Sequence, residues 1–342
     1  MIIAGSQIIL CDLPCRLDTY TGCTHGCKYC FAPKREGTRK EFTNVRKESC
    51  TKSLYDHIVN KKRNAATNWC DWDIPIHWGG MSDPFQPIEK KYKESYNCLK
   101  IFAETGYPFV VSTKGVMIVE EEYLDLLKAS NGAVQISMAS SKYDEMESGT
   151  GGYQKRFDIL KKLSTNSKRL IIRVQPYIRE VKDDILANIK KWSEQGVYGV
   201  AFEGIKFSKK VKGFVKKGTE FLYPADLLKK DFVEFREACH ENGMQFLSAE
   251  NRLRYMGDSL CCCGVEGLEG FRTNKANLNH FLFDKSGVEW TDKMKEEKNQ
   301  IVFQVLMQTK AGTEYLKHRT YKDVMEDIFA DGQVIRNIYG EK

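Results

Sequence analysis

Short runs of strand-favouring residues alternate with amphipathic stretches along most of the chain. The apolar runs predict seven strands, at 16–20, 74–78, 109–112, 133–138, 170–175, 197–202 and 245–248. The stretches between them predict six helices, at 54–63, 92–104, 120–129, 154–163, 184–195 and 227–242. This alternation is typical of repeated βα units around a parallel sheet. We therefore predict an α/β fold, an incomplete TIM-type barrel of the (β/α)6 kind, with its chemistry at the carboxyl ends of the strands.

The pattern also predicts how the chain is divided. We expect an N-terminal extension over 1–15, the partial barrel over 16–250, and a cysteine-containing, helical C-terminal segment over 251–342. Apolar residues recur at helical spacing in the stretch 290–339. We expect these helices to cover the open side of the barrel or to carry a partner surface.

Composition narrows the class of protein. The chain has 342 residues, which suits one large domain with an accessory segment. No apolar run is long enough to cross a bilayer, and the first ten residues lack the features of a signal peptide, so we expect a cytoplasmic protein without membrane contact. In a reducing compartment the twelve cysteines are metal ligands or buried thiols rather than disulfides. The scattered Cys50, Cys70, Cys98 and Cys239 are predicted to be buried.

Positive charge is concentrated in two places, within a formal net charge of +7. One cluster follows the first cysteine group, at Lys34–Arg35, Arg39–Lys40 and Arg46–Lys47. The other comprises six lysines between Gly204 and Thr219, a stretch without any acidic residue. Each cluster alone is consistent with a solvated loop. Together at one barrel mouth they would favour a polyanionic partner.

Three cysteines, Cys23, Cys27 and Cys30, stand in the spacing Cys-x3-Cys-x2-Cys after the first predicted strand. Thiolates are the usual ligands of iron–sulfur clusters, and three of them leave one corner of a four-iron cluster open for another ligand. The alternatives are a structural zinc knuckle completed by His25, or by a distant cysteine, and a chance run.

Other polar residues follow the later strands. Gly79–Gly80 and Ser82–Asp83 come after the second strand, where paired glycines let a ligand approach the backbone closely. Lys114 follows the third strand, Ser137 ends the fourth, and Gln175 ends the fifth. A lone polar residue at a strand end usually caps a loop, so it is the ring of them that indicates a site.

The chain resembles the radical S-adenosylmethionine (radical SAM) superfamily, and within it the branch of spore photoproduct lyases and "DNA repair photolyases". The resemblance covers roughly 19–176. It is carried by the cysteine loop 20–32, by Ser82–Glu89, by Ser112–Gly115, and by Ile136–Met138 with Glu147 and Gly149–Thr150 following.

This resemblance implies a [4Fe–4S] cluster on Cys23, Cys27 and Cys30 that cleaves S-adenosylmethionine reductively and yields a 5′-deoxyadenosyl radical. It implies that Ser82 contacts the cofactor's amino group, Lys114 its carboxylate, and Ser137 the cofactor or the substrate. The expected cofactor-binding residues are Tyr29, Gly79, Gly80, Ser82, Asp83, Lys114, Ser137 and Gln175. A flavodoxin- or ferredoxin-like protein would supply the electron.

The sequence departs from the branch in one place. The lyases carry a hydrogen-donor cysteine near the end of the second strand, where this chain has Gly79–Gly80–Met81. This departure puts lyase activity itself in doubt. Cys261, Cys262 and Cys263 are our candidate catalytic thiols, since one of them could replace the missing donor.

The same cysteine run allows a different interpretation. With Cys11 and Cys15 it could form a second iron–sulfur or zinc site, but Cys15 precedes the first strand and should start at the far face, about 15–17 Å from the radical loop. Buried or redox thiols are the alternative.

Three functions therefore remain open. The first is a radical SAM enzyme acting on a nucleic acid or nucleotide, in a lyase-like or repair reaction; the branch, the basic clusters and aromatics such as Tyr92, Tyr143 and Tyr153 favour it. The second is a radical SAM enzyme that modifies a peptide or small molecule with an auxiliary cluster. The third is a non-catalytic iron–sulfur or zinc protein that binds nucleic acid.

Overall fold

The computed structural model describes residues 2–4, 11–32, 46–62, 70, 73–218, 220–274 and 279. Thirteen strands lie in these ranges. They are β1 (Ile2–Ala4), β2 (Cys15–Leu17), β3 (Tyr20–Thr21), β4 (Arg46–Lys47), β5 (Ile76–Trp78), β6 (Phe109–Thr113), β7 (Gly132–Ser137), β8 (Arg169–Tyr177), β9 (Gly199–Gly204), β10 (Lys206–Phe207), β11 (Val215–Lys217), β12 (Glu220–Leu222) and β13 (Gln245–Ser248).

The main sheet has eight strands in the order β1-β2-β5-β6-β7-β8-β9-β13. Strand β1 is antiparallel to β2, and the other six pairs are all parallel. The order follows the chain apart from the small strands, as expected for successive right-handed βα units. The predicted α/β fold with an incomplete barrel is confirmed.

Within the described ranges, eight α-helices connect and cover the strands. They are α1 (Cys50–Leu54), α2 (Glu89–Tyr92), α3 (Glu94–Thr105), α4 (Glu121–Ala129), α5 (Gly152–Asp158), α6 (Leu160–Asn166), α7 (Lys182–Glu194) and α8 (Ala225–Glu241). A π-helical turn, Tyr55–Val59, continues α1, and 3₁₀ turns lie at Val116–Val119, Ser141–Tyr143, Ser148–Thr150, Arg179–Val181 and Asn251–Met256.

Aromatic side chains fill the layer between strands and helices. Phe102 of α3 stacks on Phe109 of β6 at 4.3 Å, and Trp78 packs against both rings. The scattered Cys50, Cys70, Cys98 and Cys239 are buried, so that prediction is confirmed.

Several observed elements differ from the predicted ones. The helix predicted over 54–63 begins earlier, as α1 at Cys50–Leu54, and ends as the π-helical turn Tyr55–Val59. The strand predicted over 16–20 is broken at Asp18 and Thr19, because the Asp18 carboxylate accepts the backbone N–H groups of Met81 and Ser82 at 2.8 and 3.1 Å. The helix predicted over 154–163 is two helices, α5 and α6, which are separated at Ile159. The segment after β9, predicted as a loop, folds into a three-stranded antiparallel sheet in the order β10-β12-β11.

The segment after β13 runs beneath the amino-terminal ends of the strands. Its backbone is held by Arg169 at the start of β8, which donates to Gly264 O at 2.7 Å, and by Asn131 just before β7, which donates to Gly270 O at 3.4 Å. Asn274 N then donates to Asp12 O, just before β2, at 3.0 Å. We call residues 258–274 the floor segment, since they close the bottom of the barrel.

Some expectations lie beyond the described residues. The predicted helices of 290–339 and the basic residues Lys34–Arg35 and Arg39–Lys40 fall outside the described ranges. The domain boundaries at 15 and 250 stay predictions, although β1 pairs with β2 in the main sheet.

Candidate functional site

One cavity of about 340 Å³ lies inside the barrel, and it collects most of the residues that the sequence predicts for the site. Its walls come from the loops and strand ends that follow β3, β5, β6, β7, β8 and β9. The predicted site residues that line it are Cys23, Cys27, Tyr29, Cys30, Gly79, Gly80, Ser82, Asp83, Lys114, Ser137, Gln175, Cys262 and Cys263. Cys261 is 1% exposed and does not line it.

The cysteine loop is held in place by a buried glutamine. Gln86 Oε1 accepts the Thr24 backbone N–H at 2.7 Å, and its amide nitrogen donates to Gly22 O at 3.1 Å. The loop is closed by Cys30 N donating to Cys27 O at 3.0 Å. This role of Gln86 was not predicted, because the local sequence around it does not indicate hydrogen bonds to residues more than 60 positions away.

Two thiols of this loop, Cys23 and Cys27, have raised pKa values. Burial raises the pKa of Cys23 to about 12 and that of Cys27 to about 11. A metal or cluster must therefore displace the protons of these two thiols on binding, as thiolate ligation does in general.

His25 joins the loop to two other strand ends. Its Nδ1 donates to Gly149 O at 2.8 Å, and its Nε2 lies 3.3 Å from Asp83 Oδ2. Burial by itself lowers the pKa of His25, but the Asp83 carboxylate raises it overall. Nδ1 is thus engaged by Gly149, Nε2 faces the Asp83 carboxylate, and the side chain is 4% exposed. The alternative in which His25 completes a zinc knuckle is not supported by this geometry.

Asp83 is the connecting acid of the site. One carboxylate oxygen accepts the Thr113 hydroxyl at 2.6 Å, and the other accepts the Lys114 backbone N–H at 2.6 Å. Burial would raise its pKa, but His25 and these hydrogen bonds lower it overall. Asp83 therefore stays ionised and fixes the loop after β6, while its side chain is used within the protein rather than offered to a ligand.

A second buried acid, Glu147, links the loop to the opposite wall. It accepts the Tyr29 hydroxyl, forms an ion pair with fully buried Arg156, and lies 3.7 Å from Lys114 Nζ. Burial opposes its ionisation, yet Lys114 and Arg156 lower its pKa. Lys114 also lies 5.7 Å from the centre of the Tyr29 ring. The ammonium group that was expected to contact the cofactor's carboxylate therefore already lies near a carboxylate of the protein, that of Glu147.

Gly79 and Ser82 differ in what they offer a ligand. Gly79 has φ +90°, and a Cβ there would lie 2.4 Å from Ser112 O, so glycine is required by the neighbouring strand alone. The Ser82 hydroxyl is buried and has no hydrogen-bond partner among the residues that the structure describes. A buried polar atom without a partner is costly, so Ser82 is the side chain here that a ligand would satisfy.

The barrel wall carries a chain of polar side chains. His77 Nε2 is 2.9 Å from Ser112 Oγ, which also donates to Gln135 Oε1 at 2.8 Å and accepts from Arg173 at 3.1 Å. Burial, assisted by Arg173 and Arg16, lowers the pKa of His77 to about 3, so the ring is neutral.

Arg173 continues this chain to the far side of the cavity. It donates to Gln175, which donates to Glu203, whose other oxygen pairs with Lys206. Gln175 thus lines the cavity with its amide already engaged on both sides.

The floor of the cavity is a second thiol group, formed by Cys11, Cys262 and Cys263 with the buried Arg254 beside them. A hydrogen bond from Cys263 and the charge of Arg254, partly opposed by burial, lower the pKa of Cys262 to about 5. Cys263 keeps its proton, since hydrogen bonding with its neighbours and burial raise its pKa. The two cysteine groups were expected to lie far apart, yet both line the same cavity.

A single-ion metal site is not formed on this floor. Across the described ranges, no three His, Cys, Asp or Glu side chains converge on a common point that could hold one metal ion. Cys15 is fully buried in β2 and does not line the cavity. The predicted second metal site therefore has no geometric support beyond the nearness of Cys11 to Cys262.

Two of the aromatics that were taken to favour a nucleic-acid substrate, Tyr143 and Tyr153, belong to the core. Tyr143 is 2% exposed and donates its hydroxyl to Pro176 O at 2.9 Å, while Tyr153 is 8% exposed and accepts from Trp192 at 3.1 Å. Their use as support for a nucleic-acid substrate is wrong, because amphipathic helix positions and ligand-facing aromatics look alike in a sequence.

Comparison with known proteins defines the class. The profile described as "Radical SAM superfamily" matches residues 17–193, slightly more than half of the chain. The chain belongs to the radical SAM superfamily. Family membership supports an S-adenosylmethionine-dependent enzyme with a [4Fe–4S] cluster.

The curated relatives are distant. An uncharacterized protein of Mycobacterium tuberculosis is 25% identical over 178 residues, which are 48% of this chain and 49% of the relative. An uncharacterized protein of Methanocaldococcus jannaschii is 23% identical over 213 residues, or 59% of this chain and 74% of the relative. The chain thus spans about half the length of its mycobacterial relatives.

Solved structures show the same fold. A spore photoproduct lyase mutant superimposes with a TM-score of 0.55 at 15% identity, covering 72% of this chain and 78% of that one. Another mutant, solved with bound AdoMet and dinucleoside spore photoproduct, gives 0.55 at 15% identity over 71% and 79%. At this identity the likeness concerns the fold alone.

The residues present fit the cluster and cofactor that the family implies. Three thiols of one pinned loop face the cavity, each available to a different iron of a four-iron cluster. The unsatisfied Ser82 hydroxyl lies in the same cavity, whose volume is in the range of small-molecule sites. In the portion of the chain described, no helix is long and apolar enough to cross a membrane.

Proposed function

We propose that this protein is a radical SAM enzyme that acts on a nucleic acid or nucleotide. The observation that carries the proposal is the shared cavity: the thiols of Cys23, Cys27 and Cys30 and the unpartnered hydroxyl of Ser82 all face it. When bound, the family's cluster and cofactor supply a 5′-deoxyadenosyl radical that abstracts a hydrogen atom from the substrate.

The chain's own residues would bind and orient. Cys23, Cys27 and Cys30 hold the cluster, and Ser82 binds the cofactor's amino group together with the backbone of Gly79 and Gly80. Lys114 pairs with the cofactor carboxylate. Its ammonium group lies 3.7 Å from Glu147, so it can contact the cofactor carboxylate as well as Glu147. Ser137 and Gln175 border the side away from the cysteine loop, where a substrate would lie.

Tyr29 and Asp83, predicted as cofactor ligands, have a supporting role in this proposal. The Tyr29 hydroxyl donates to Glu147. The Asp83 carboxylate contacts His25, Thr113 and Lys114. We therefore assign them to holding the cysteine loop against the loop after β6.

We further propose that the floor thiols include the hydrogen donor that is missing after β5. Hydrogen return needs a protonated thiol that can reach the substrate. Cys263 supports this proposal because it lines the cavity and its pKa is raised. The sulfur–hydrogen bond breaks homolytically, a carbon–hydrogen bond forms on the substrate radical, and a one-electron protein reductant with a proton restores the thiol. Cys261 does not line the cavity, which argues against its direct participation.

The test measures cofactor cleavage. Parent protein, reconstituted with iron and sulfide and reduced, should release 5′-deoxyadenosine when given S-adenosylmethionine. Cys27→Ala should release none above the protein-free background, because the loop then offers two thiolates. Cys239→Ala, a buried cysteine of α8 outside the cavity, is the matched control and should behave as the parent does. Equal release from Cys27→Ala and the parent would refute the proposal.

A further inference from the structure

The sheet formed by β10, β11 and β12 is an ordered platform rather than a loose loop. Phe207 and Phe214 pack edge to face with ring centres 5.0 Å apart, and Phe214 lies 4.4 Å from Tyr223. Leu222 and Tyr223 are buried beneath them. The residues between the strands therefore present their side chains from a fixed base.

The outer side of this platform is positively charged. Lys209, Lys210, Lys212 and Lys216 are exposed, and none of them pairs with an acidic side chain in the part of the chain that the structure describes. Some exposed lysines elsewhere do have such partners; Lys52 lies 2.8 Å from Asp56, and Lys142 lies 3.0 Å from Asp184. We call these four residues the lysine face.

The lysine face is a large part of the chain's charge excess. The stretch from Lys206 to Lys217 holds six lysines and no acid, in a chain of formal net charge +7. Lys209, Lys210 and Lys212 lie in the loop between β10 and β11, and Lys216 lies in β11. Like charges gathered on one loop and its strand repel one another, and an oppositely charged polymer would relieve that repulsion. A polyanion with regularly spaced charges fits this surface better than a single small anion.

The platform also adjoins the cavity. Lys206 at the start of β10 and Glu220 at the start of β12 both line it, and Lys206 pairs with Glu203 of β9. A polymer on the lysine face thus has its neighbouring unit at the cavity entrance. Atoms within the barrel cannot be reached by a base that stays stacked in a duplex, so the bound strand must be unpaired there.

We propose that the lysine face binds the phosphate backbone of a single nucleic-acid strand and leads one nucleotide into the barrel cavity. The inference rests on the proposed function for the fate of that nucleotide. Binding of the strand itself requires neither cluster nor cofactor. The contacts are to phosphates, so affinity should be insensitive to base sequence and strongly dependent on salt.

The experiment measures fluorescence anisotropy of a labelled single-stranded oligonucleotide with full-length protein over a series of KCl concentrations. The variant K209Q/K210Q/K212Q/K216Q removes up to four phosphate contacts, so the slope of log affinity against log salt should fall by about 3. The double variant K209Q/K210Q should lower it by about 1.5. A matched control, K161Q/K190Q/K191Q/K230Q, removes the same charge from outer helices and should leave the slope unchanged.

Three results would overturn the inference. The parent could fail to bind the oligonucleotide even at low salt. The salt slope of the control variant could fall as much as that of the lysine-face variant, which would mean that the effect comes from net charge in general. The parent could bind vesicles of an anionic phospholipid but not the oligonucleotide.

A further variant separates this inference from the proposed function. Cys27→Ala should bind the strand as tightly as the parent while losing cofactor cleavage. Strand binding without any cofactor cleavage by the parent would refute the proposed function and leave the lysine face intact. Cofactor cleavage without strand binding would refute the role of the lysine face and leave the assignment of cofactor cleavage intact.

Discussion

Two cysteine groups face one cavity from opposite ends, and they are built on different principles. The loop group, Cys23, Cys27 and Cys30, is spaced along a turn whose backbone is pinned by Gln86 and by the His25 contact to Gly149. The floor group joins the adjacent Cys262 and Cys263 to the distant Cys11, and it lies beside Arg254, whose charge favours one thiolate. Spacing thus prepares separate ligands for a cluster, whereas crowding beside a cation prepares a reactive sulfur. Residue type alone does not distinguish them.

The largest expected difference between the two groups is in metal content. Replacing Cys23, Cys27 and Cys30 together by alanine should remove all bound iron, because these three are the cluster ligands that the family implies, whereas Cys262 and Cys263 of the floor are adjacent in the chain. Replacing Cys11, Cys262 and Cys263 by alanine should leave iron and sulfide per chain as in the parent. Elemental analysis of the reconstituted proteins measures both.

The opposite outcome is equally clear. Iron or zinc that remains in the loop variant, and disappears when the floor cysteines are also replaced, would establish a second metal site. The comparison between a ligand loop and a thiol floor would then fail.

The support of the loop gives the next largest effect. Glu147→Gln leaves the guanidinium of Arg156 buried without a charged partner and weakens the tie to Tyr29. Loss of one partner of a buried ion pair should lower the free energy of unfolding by about 3–5 kcal/mol. Urea unfolding of the apoprotein measures this directly.

An exposed pair is the matched control. Glu122→Gln breaks the ion pair between Glu122 and Lys93, whose side chains are 44% and 38% exposed. The loss should lower the free energy of unfolding by no more than about 1 kcal/mol. A Glu147→Gln variant as stable as the control would show that the cysteine loop does not depend on this buried cluster.

How far the sequence could predict these features depends on the range of the interactions. The parallel barrel and the loop thiols follow from local periodicity and spacing, and Ser82 and Lys114 line the cavity because strand ends meet at one edge. His77 was missed as a site residue, since its partner Ser112 lies on another strand. Arg254 was missed because nothing in the local pattern says that it is buried beside Cys262. Tyr143 and Tyr153 were misassigned, because a sequence does not say which face of a helix or turn the core takes.

The floor itself shows this limit most clearly. Cys15 was expected to stand far from the cysteine loop because it opens a strand, and by the same argument so was Cys11. The floor segment passes under the strands and brings Cys262 and Cys263 up into the barrel beside Cys11. A path of this kind depends on hydrogen bonds to Arg169 and Asn131 that no local pattern encodes.

The smallest expected effect is confined to one sulfur of the floor. Cys263 contributes a hydrogen bond and Arg254 its charge to the pKa of about 5 for Cys262. Arg254→Gln removes that charge, so the pKa should rise by about 1–3 units. The thiolate fraction at pH 6 then falls, and alkylation of Cys262 by iodoacetamide slows. Peptide mass spectrometry after timed alkylation, repeated from pH 4 to 9, gives the inflection directly. Arg252→Gln, two residues away and paired with Glu250, should leave it in place. An inflection that stays near 5 in Arg254→Gln would mean that neighbouring thiols alone hold the charge, and the floor would then resemble the loop more than the arginine suggests.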